Sequence, residues 1–167
     1  TFRVRDTNTA DYRGKSTNAG FTIELGFLLH EIKEGQVLAD TRDASGKGWW
    51  VSISDKNNLA FKMNDGQTHV VWSSDPNTIQ PNTQHQVSTL IDGGPNVIEF
   101  VTDGRFNDGG EHRQFGWGRF SPFFQSAAGS STLLLGLNIN GELNYFRCFD
   151  RALMVSEAIS SQRFKEE

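Results

Sequence analysis

The chain predicts an all-β fold: a two-sheet antiparallel jelly-roll sandwich with one short C-terminal helix. Three observations predict it. Apolar and polar residues alternate over short runs, the pattern of strands with one buried face. Clusters of Gly, Asn, Asp and Pro punctuate those runs. The composition, 13 Phe, four Trp and 17 Gly among 167 residues with few helix-favouring runs, suits pleated strands and tight turns.

The elements follow in order. In FTIELGFLL (21–29), Phe21, Ile23, Leu25, Phe27 and Leu29 share one face, and Thr22, Glu24 and Gly26 share the other, so a half-buried strand is expected. Ser-Gly-Lys-Gly (45–48) turns the chain into WWVSIS (49–54). There Trp49, Val51 and Ile53 oppose Trp50, Ser52 and Ser54. After a turn at 55–58, Leu59, Phe61 and Met63 alternate with Ala60, Lys62 and Asn64. Asn64-Asp65-Gly66 then leads into HVVWS (69–73), which does not alternate cleanly. Two prolines make 74–83 a loop. HQVSTLID (85–92) and NVIEFVTD (96–103) form a hairpin around Asp92-Gly93-Gly94-Pro95, and a turn follows at Asp103-Gly104. Residues 104–131 carry no period. TLLLGL (132–137) is expected as a fully buried strand, Asn140-Gly141 as a turn, and ELNYFRCF (142–149) as the last strand. SEAISSQRF (156–164) is expected as a helix capped by Ser156 and anchored by Ile159 and Phe164. Residues 1–6 are expected beside 142–149, because sandwich termini often lie close together.

That many short strands in 167 residues without a linker, repeat or low-complexity tract define a single domain over 1–167, with a core large enough to need no staple. A net charge of −4 argues against a nucleic-acid partner. No apolar run reaches the roughly 18–20 residues of a membrane span. Cys148 is the only cysteine, so no internal disulfide forms, and it is expected in the core. The four histidines (30, 69, 85 and 112) lack paired zinc-ligand spacing, and no Gly-x-Ser-x-Gly elbow marks a serine hydrolase.

Chemistry-bearing residues concentrate in GGEHRQFGWGRF (109–120). A sugar presents an apolar C–H face and a rim of hydroxyls. It is held by stacking on an indole, with Arg, Gln, Asp or His hydrogen-bonding the rim. Trp117 supplies the indole, and His112, Arg113, Gln114 and Arg119 supply the polar groups, with Asp108 beside them. The forked guanidinium suits adjacent hydroxyls, and the glycines let backbone approach a ligand. The competing reading makes Phe115, Trp117 and Phe120 a plug at the end of the sandwich. Trp50, on the face opposite Trp49, is a second stacking platform if that face is open.

GELNYFRCFDRALMVSEAI (141–159) resembles the last strand and helix of laminin-G-like, concanavalin A-type jelly rolls. Gly141, Leu143, Asn144, Phe146, Arg147, Cys148, Phe149, Asp150, Arg151, Ala152 and Leu153 carry the likeness. FTIELGFLL resembles the early strand of that family, and QHQVSTLIDGGPNVIEFVTDG (84–104) its central hairpin. Three positions depart from the pattern: Gly26 and Gln84 stand where tryptophans are usual, and Tyr145 where an acid is usual.

The resemblance implies a non-catalytic carbohydrate-binding module, excised from a larger secreted or cell-surface protein. Such a module tethers a linked glycoside hydrolase to a polysaccharide or to terminal sugars, fructan among them. An adhesion domain and a glycoside hydrolase or lyase with a non-standard acid pair are the alternatives. Hydrolases of this class carry Glu-x-Asp-x-x-Glu, which is missing here; Glu99 and Asp103 are the nearest substitute. Such folds often hold one structural calcium at a sheet rim. Asp40, Asp43, Asp103 and Asp108 at turns are the carboxylates it would use, and ordinary turn aspartates are the other reading.

Overall fold

Alternation along the strands leaves each sheet one apolar face, and two such faces are buried against each other. The computed structural model describes residues 20–110 and 113–163. The expectations for residues 1–6, His112 and Phe164 lie outside them.

One sheet has five strands: β2 (Val37–Asp40), β3 (Gly48–Ile53), β4 (Leu59–Asn64), β5 (His69–Ser73) and β10 (Leu134–Leu137), in the order β10-β2-β3-β4-β5. The other has six: β1 (Gly20–Leu29), β6 (Gln84–Asp92), β7 (Val97–Thr102), β8 (Arg105–Phe106), β9 (Trp117–Arg119) and β11 (Gly141–Phe149). Its order is β11-β1-β6-β7-β8, with β9 also on β7. Every pairing is antiparallel. Helix α1 spans Val155–Arg163. The all-β sandwich with one short C-terminal helix is therefore observed.

The core is where alternation places it. Phe21, Ile23, Leu25, Phe27 and Leu29 meet Trp49, Val51, Ile53, Leu59, Phe61 and Met63 across the sandwich. Phe21 packs against Trp49 and Phe61 with ring centroids 5.9 and 6.1 Å apart, within the range of favourable aromatic pairs. Trp72, undecided from sequence, packs partly buried against this core.

Four expectations are corrected. The polar face of β1 is sealed rather than solvated, because α1 lies over it. Leu90 and Val101 on the outer face of the six-stranded sheet meet Leu153, Ala158 and Ile159 in a second apolar cluster. Glu24, 1% exposed, accepts hydrogen bonds there from Ser88 (3.1 Å), Ser161 (2.7 Å) and Arg147 (3.4 Å). The helix is capped not by Ser156 but two residues earlier, at Met154. The Met154 carbonyl accepts the Ala158 amide, and the Glu157 carboxylate accepts the Met154 amide at 2.8 Å. The strand expected as fully buried at 132–137 is the edge strand β10, with Leu134 exposed. Cys148 is exposed, because β11 is itself an edge.

Tyr145 and Gly26 explain each other. They are cross-strand neighbours, and a Cβ on Gly26 would lie 2.2 Å from the Tyr145 ring. The Tyr145 ring from β11 thus occupies the space that a side chain at position 26 would need. Burial pushes the Tyr145 phenol up to about 12. Gln84, the third departure, donates to Asn144 at 2.7 Å.

Candidate functional site

The aperiodic segment 104–120 is organised by its turn residues. Asp103 (φ 51°) and Gly104 (φ 71°) reverse the chain from β7 into β8, as a two-residue hairpin turn requires. Buried Asn107 follows. Its side-chain oxygen accepts from the Asp75 amide (3.2 Å) and from Thr102 Oγ1 (3.3 Å). Asp75 in turn accepts the Gly109 amide at 2.9 Å, and the Gly116 amide donates to the Ser73 carbonyl at 2.9 Å. The loop is therefore pinched at a neck and tied to the end of β5. Burial raises the Asp75 carboxyl above its ordinary range, and the nearby Asp108 charge adds to the effect.

Gly109 and Gly116, both at φ 87°, make this neck. A Cβ on Gly116 would stand 2.4 Å from the Gly109 nitrogen, and one on Gly109 would stand 2.5 Å from the Phe115 carbonyl oxygen. These two glycines thus let backbone approach backbone, not a ligand.

Beyond the neck the candidate residues divide. Trp117 and Arg119 leave on β9, with Glu99 and Val97 as their register partners on β7. Gly118 between them faces the other way, onto the Trp72 ring. Trp117 is 37% exposed and Arg119 is exposed, on the outer side of the six-stranded sheet. Phe115, half-buried, and Gln114, exposed, lie on the opposite side, by the outer face of the five-stranded sheet. Arg113, exposed and at φ 49°, sits on the loop between them. Asp108 turns the loop by accepting the Gly110 amide at 3.0 Å. His112 is outside the described residues. Phe120 is buried against Phe124 in the core, so of the three aromatics in the plug reading only Phe120 is fully internal.

Trp50 is covered rather than open. It is 9% exposed, with the Arg42 guanidinium 4.4 Å from its ring centroid, the His69 ring stacked at 5.7 Å and Lys62 at 5.9 Å. Arg42 is fixed in turn by Asp40, at 2.6 Å, whose hydrogen bonds hold the guanidinium above its ordinary value.

The four aspartates expected at turns do not share a site, and Asp40 belongs to strand β2 rather than to a turn. Asp40 pairs with Arg42. Asp43 accepts from Ser45 and the Lys47 amide. Asp103 meets His85 at 2.8 Å and the Gln86 amide at 2.8 Å, and Asp108 serves Gly110. Among the described residues no three His, Cys, Asp or Glu side chains gather as metal ligands would. Glu99 and Asp103 do not share a strand face: Glu99 lies on β7 opposite Trp117, whereas Asp103 stands in the turn beyond β7 at φ 51° and meets His85.

Sequence reasoning missed a groove on the outer face of the five-stranded sheet. It is lined by Glu34, Lys56, Lys62, Val71, Ser73 and Phe115. The parity of Lys62 opposite Leu59, Phe61 and Met63 placed it outside. The pairing of Lys62 with Val71 needed the register between β4 and β5.

No family model matches the sequence, and no curated protein matches it. Solved structures do. The CBM40 module of the Ruminococcus gnavus IT-sialidase, bound to α2,3-sialyllactose, superposes with a TM-score of 0.67 at 12% identity, over 86% of this chain and 82% of that one. The leech intramolecular trans-sialidase complexed with 2,7-anhydro-Neu5Ac matches at 0.68 and 14% identity, over 92% of this chain but 24% of its own. The botulinum neurotoxin serotype D binding domain matches at 0.63 and 10% identity, over 87% of this chain and 37% of its own. At such identities the likeness is one of fold. The molecule has a two-sheet jelly-roll sandwich. Its architecture is of the kind found in CBM40 carbohydrate-binding modules.

Proposed function

We propose that this chain is a non-catalytic carbohydrate-binding module, secreted or at the cell surface, that holds a linked glycoside hydrolase on its glycan. The observation that carries the reading is Trp117: an indole left 37% exposed on a lectin-type jelly roll, with the exposed Arg119 two residues on along the same face of β9 and the exposed Arg113 on the loop before it. An indole at a rim, with guanidinium donors nearby, presents what one sugar ring needs, an apolar face and hydrogen bonds at its edge. The fold likeness to a module bound to sialyllactose supports the same class of ligand. Terminal sugars, sialylated or fructan, suit a platform of one ring. A structural calcium would need ligands other than Asp40, Asp43, Asp103 and Asp108, which do not gather, and chelation tests for one.

A site of this size binds at micromolar to millimolar strength, about −4 to −8 kcal/mol, and acts by raising the local substrate concentration for its partner enzyme. The test is a glycan array followed by calorimetry on the best ligand, with and without chelator. Measured on the best-bound terminal monosaccharide, Trp117→Ala is expected to remove detectable binding, a loss of about 2 kcal/mol or more for a central aromatic, with an unchanged thermal melt. Unaltered affinity in that variant overturns the role of Trp117. Silence of the wild-type chain across the array overturns the module reading and favours an adhesion domain.

A further inference from the structure

The groove on the five-stranded sheet lies on the other side of the loop from Trp117. Two cross-strand pairs form its floor, Lys62 with Val71 and Ala60 with Ser73. Glu34 and Gly35 bound it, as do the Ser54–Lys56 turn and Phe115. This depression holds about 270 Å³, and a second of about 360 Å³ continues past Pro76 and Asn77 to Gln114. Lys56 and Phe115 line both, so the two adjoin.

Its chemistry is mixed in a particular way. Val71, 45% exposed, and Phe115 give apolar wall. Lys56 and Lys62 are donors, and Glu34 and Asp55 are acceptors. Among the described residues none of these four is in an ion pair, although both signs line one groove. A charged ligand of either sign would meet its like there, whereas a neutral polyol engages both. Beside the floor, on the same face of the sheet, Ser52 sits between its register partners Val37 and Ala60. It is 3% exposed, and its hydroxyl has no hydrogen-bond partner. Such a polar group persists in a sheet at a cost in stability.

From this geometry we infer that the groove binds consecutive sugars of a neutral glycan chain, at a second site distinct from the Trp117 platform. Two adjoining depressions with one shared wall fit neighbouring rings of a chain rather than a single terminal sugar. The inference rests on the carbohydrate-binding reading and makes the module two-sited: the rim takes a chain end and the groove takes a chain interior.

The experiment is calorimetry with neutral linear gluco-, manno-, xylo- and fructo-oligosaccharides, from monosaccharide to hexasaccharide, on the wild-type chain and on Trp117→Ala, Lys56→Ala and Val71→Asp. Affinity is expected to rise from monosaccharide to trisaccharide in at least one series and to survive Trp117→Ala. Val71→Asp, which fills the groove with charge, and Lys56→Ala, an exposed turn residue outside the core, are each expected to weaken it by about tenfold. A carboxylated chain of equal length is expected to bind more weakly. Affinity independent of chain length, or unchanged in both groove variants, overturns the groove and leaves the Trp117 reading standing. A wild-type chain that binds none of these oligosaccharides also overturns the groove, and silence on the whole array overturns both sites together.

Discussion

Glu99 shows what a single position owes to its neighbours. It is the register partner of Trp117 and Leu90, and burial raises its carboxyl above the ordinary range, with Asp92 adding to the effect. The unfolded chain ionises Glu99 at a lower pH than the folded one. Stability is therefore lost as pH rises from the ordinary carboxylate range through the raised value. Glu99→Gln is expected to melt higher than wild type at about pH 7 and to match it below about pH 4, where both states carry the proton. Equal melts at both pH values would contradict this. Individual residues were legible to different depths. Trp49 and Phe61 were readable as core, because strand parity alone puts them there. Trp50 was not, because its cover of Arg42, Lys62 and His69 comes from three other segments.

At the scale of elements, α1 is held by a clamp that crosses its own N-terminus. Arg151 donates twice to Glu157, at 2.8 Å each, and Glu157 accepts the Met154 amide. These bonds hold the Glu157 carboxyl down at about 2, well below its ordinary 4.5. A depressed carboxyl stabilises the fold at pH above its ordinary value, and that contribution disappears as pH falls toward about 2. Glu157→Gln is expected to melt lower than wild type at neutral pH, with the gap closing at about pH 2. Thermal melts across pH, followed by circular dichroism, measure it. The helix itself was readable in 156–164. Its docking was not, because the Ser161 to Glu24 and Gln162 to Ser88 bonds join residues far apart in sequence. For the same reason the face carrying Thr22 and Glu24 read as a solvent face.

Across the whole molecule, the two sheets are joined at one edge by a seam that also carries the rim. Gly116 bonds to Ser73, and Gly118 lies against Trp72, so β9 of one sheet abuts β5 of the other. A Cβ on Gly118 would stand 2.3 Å from the Trp72 ring. Gly118→Ala is expected to cost about 1–3 kcal/mol, the usual range for overpacking, and to weaken glycan binding by displacing Trp117. Urea denaturation read by tryptophan fluorescence, with calorimetry beside it, checks both effects. The same seam explains why the loop 108–119 is not a single cluster: it straddles the sandwich edge, with Trp117 and Arg119 on one side and Gln114 and Phe115 on the other. Sequence alone determined the all-β class, most of the strands and the inward aromatic face, because alternation and turn chemistry act within a few neighbouring residues. Only the tertiary structure decided which polar faces are covered, that Asp75 anchors the loop, and that a groove runs over β4 and β5. Each of those depends on strand register and sheet order, which bring together side chains that no local pattern connects.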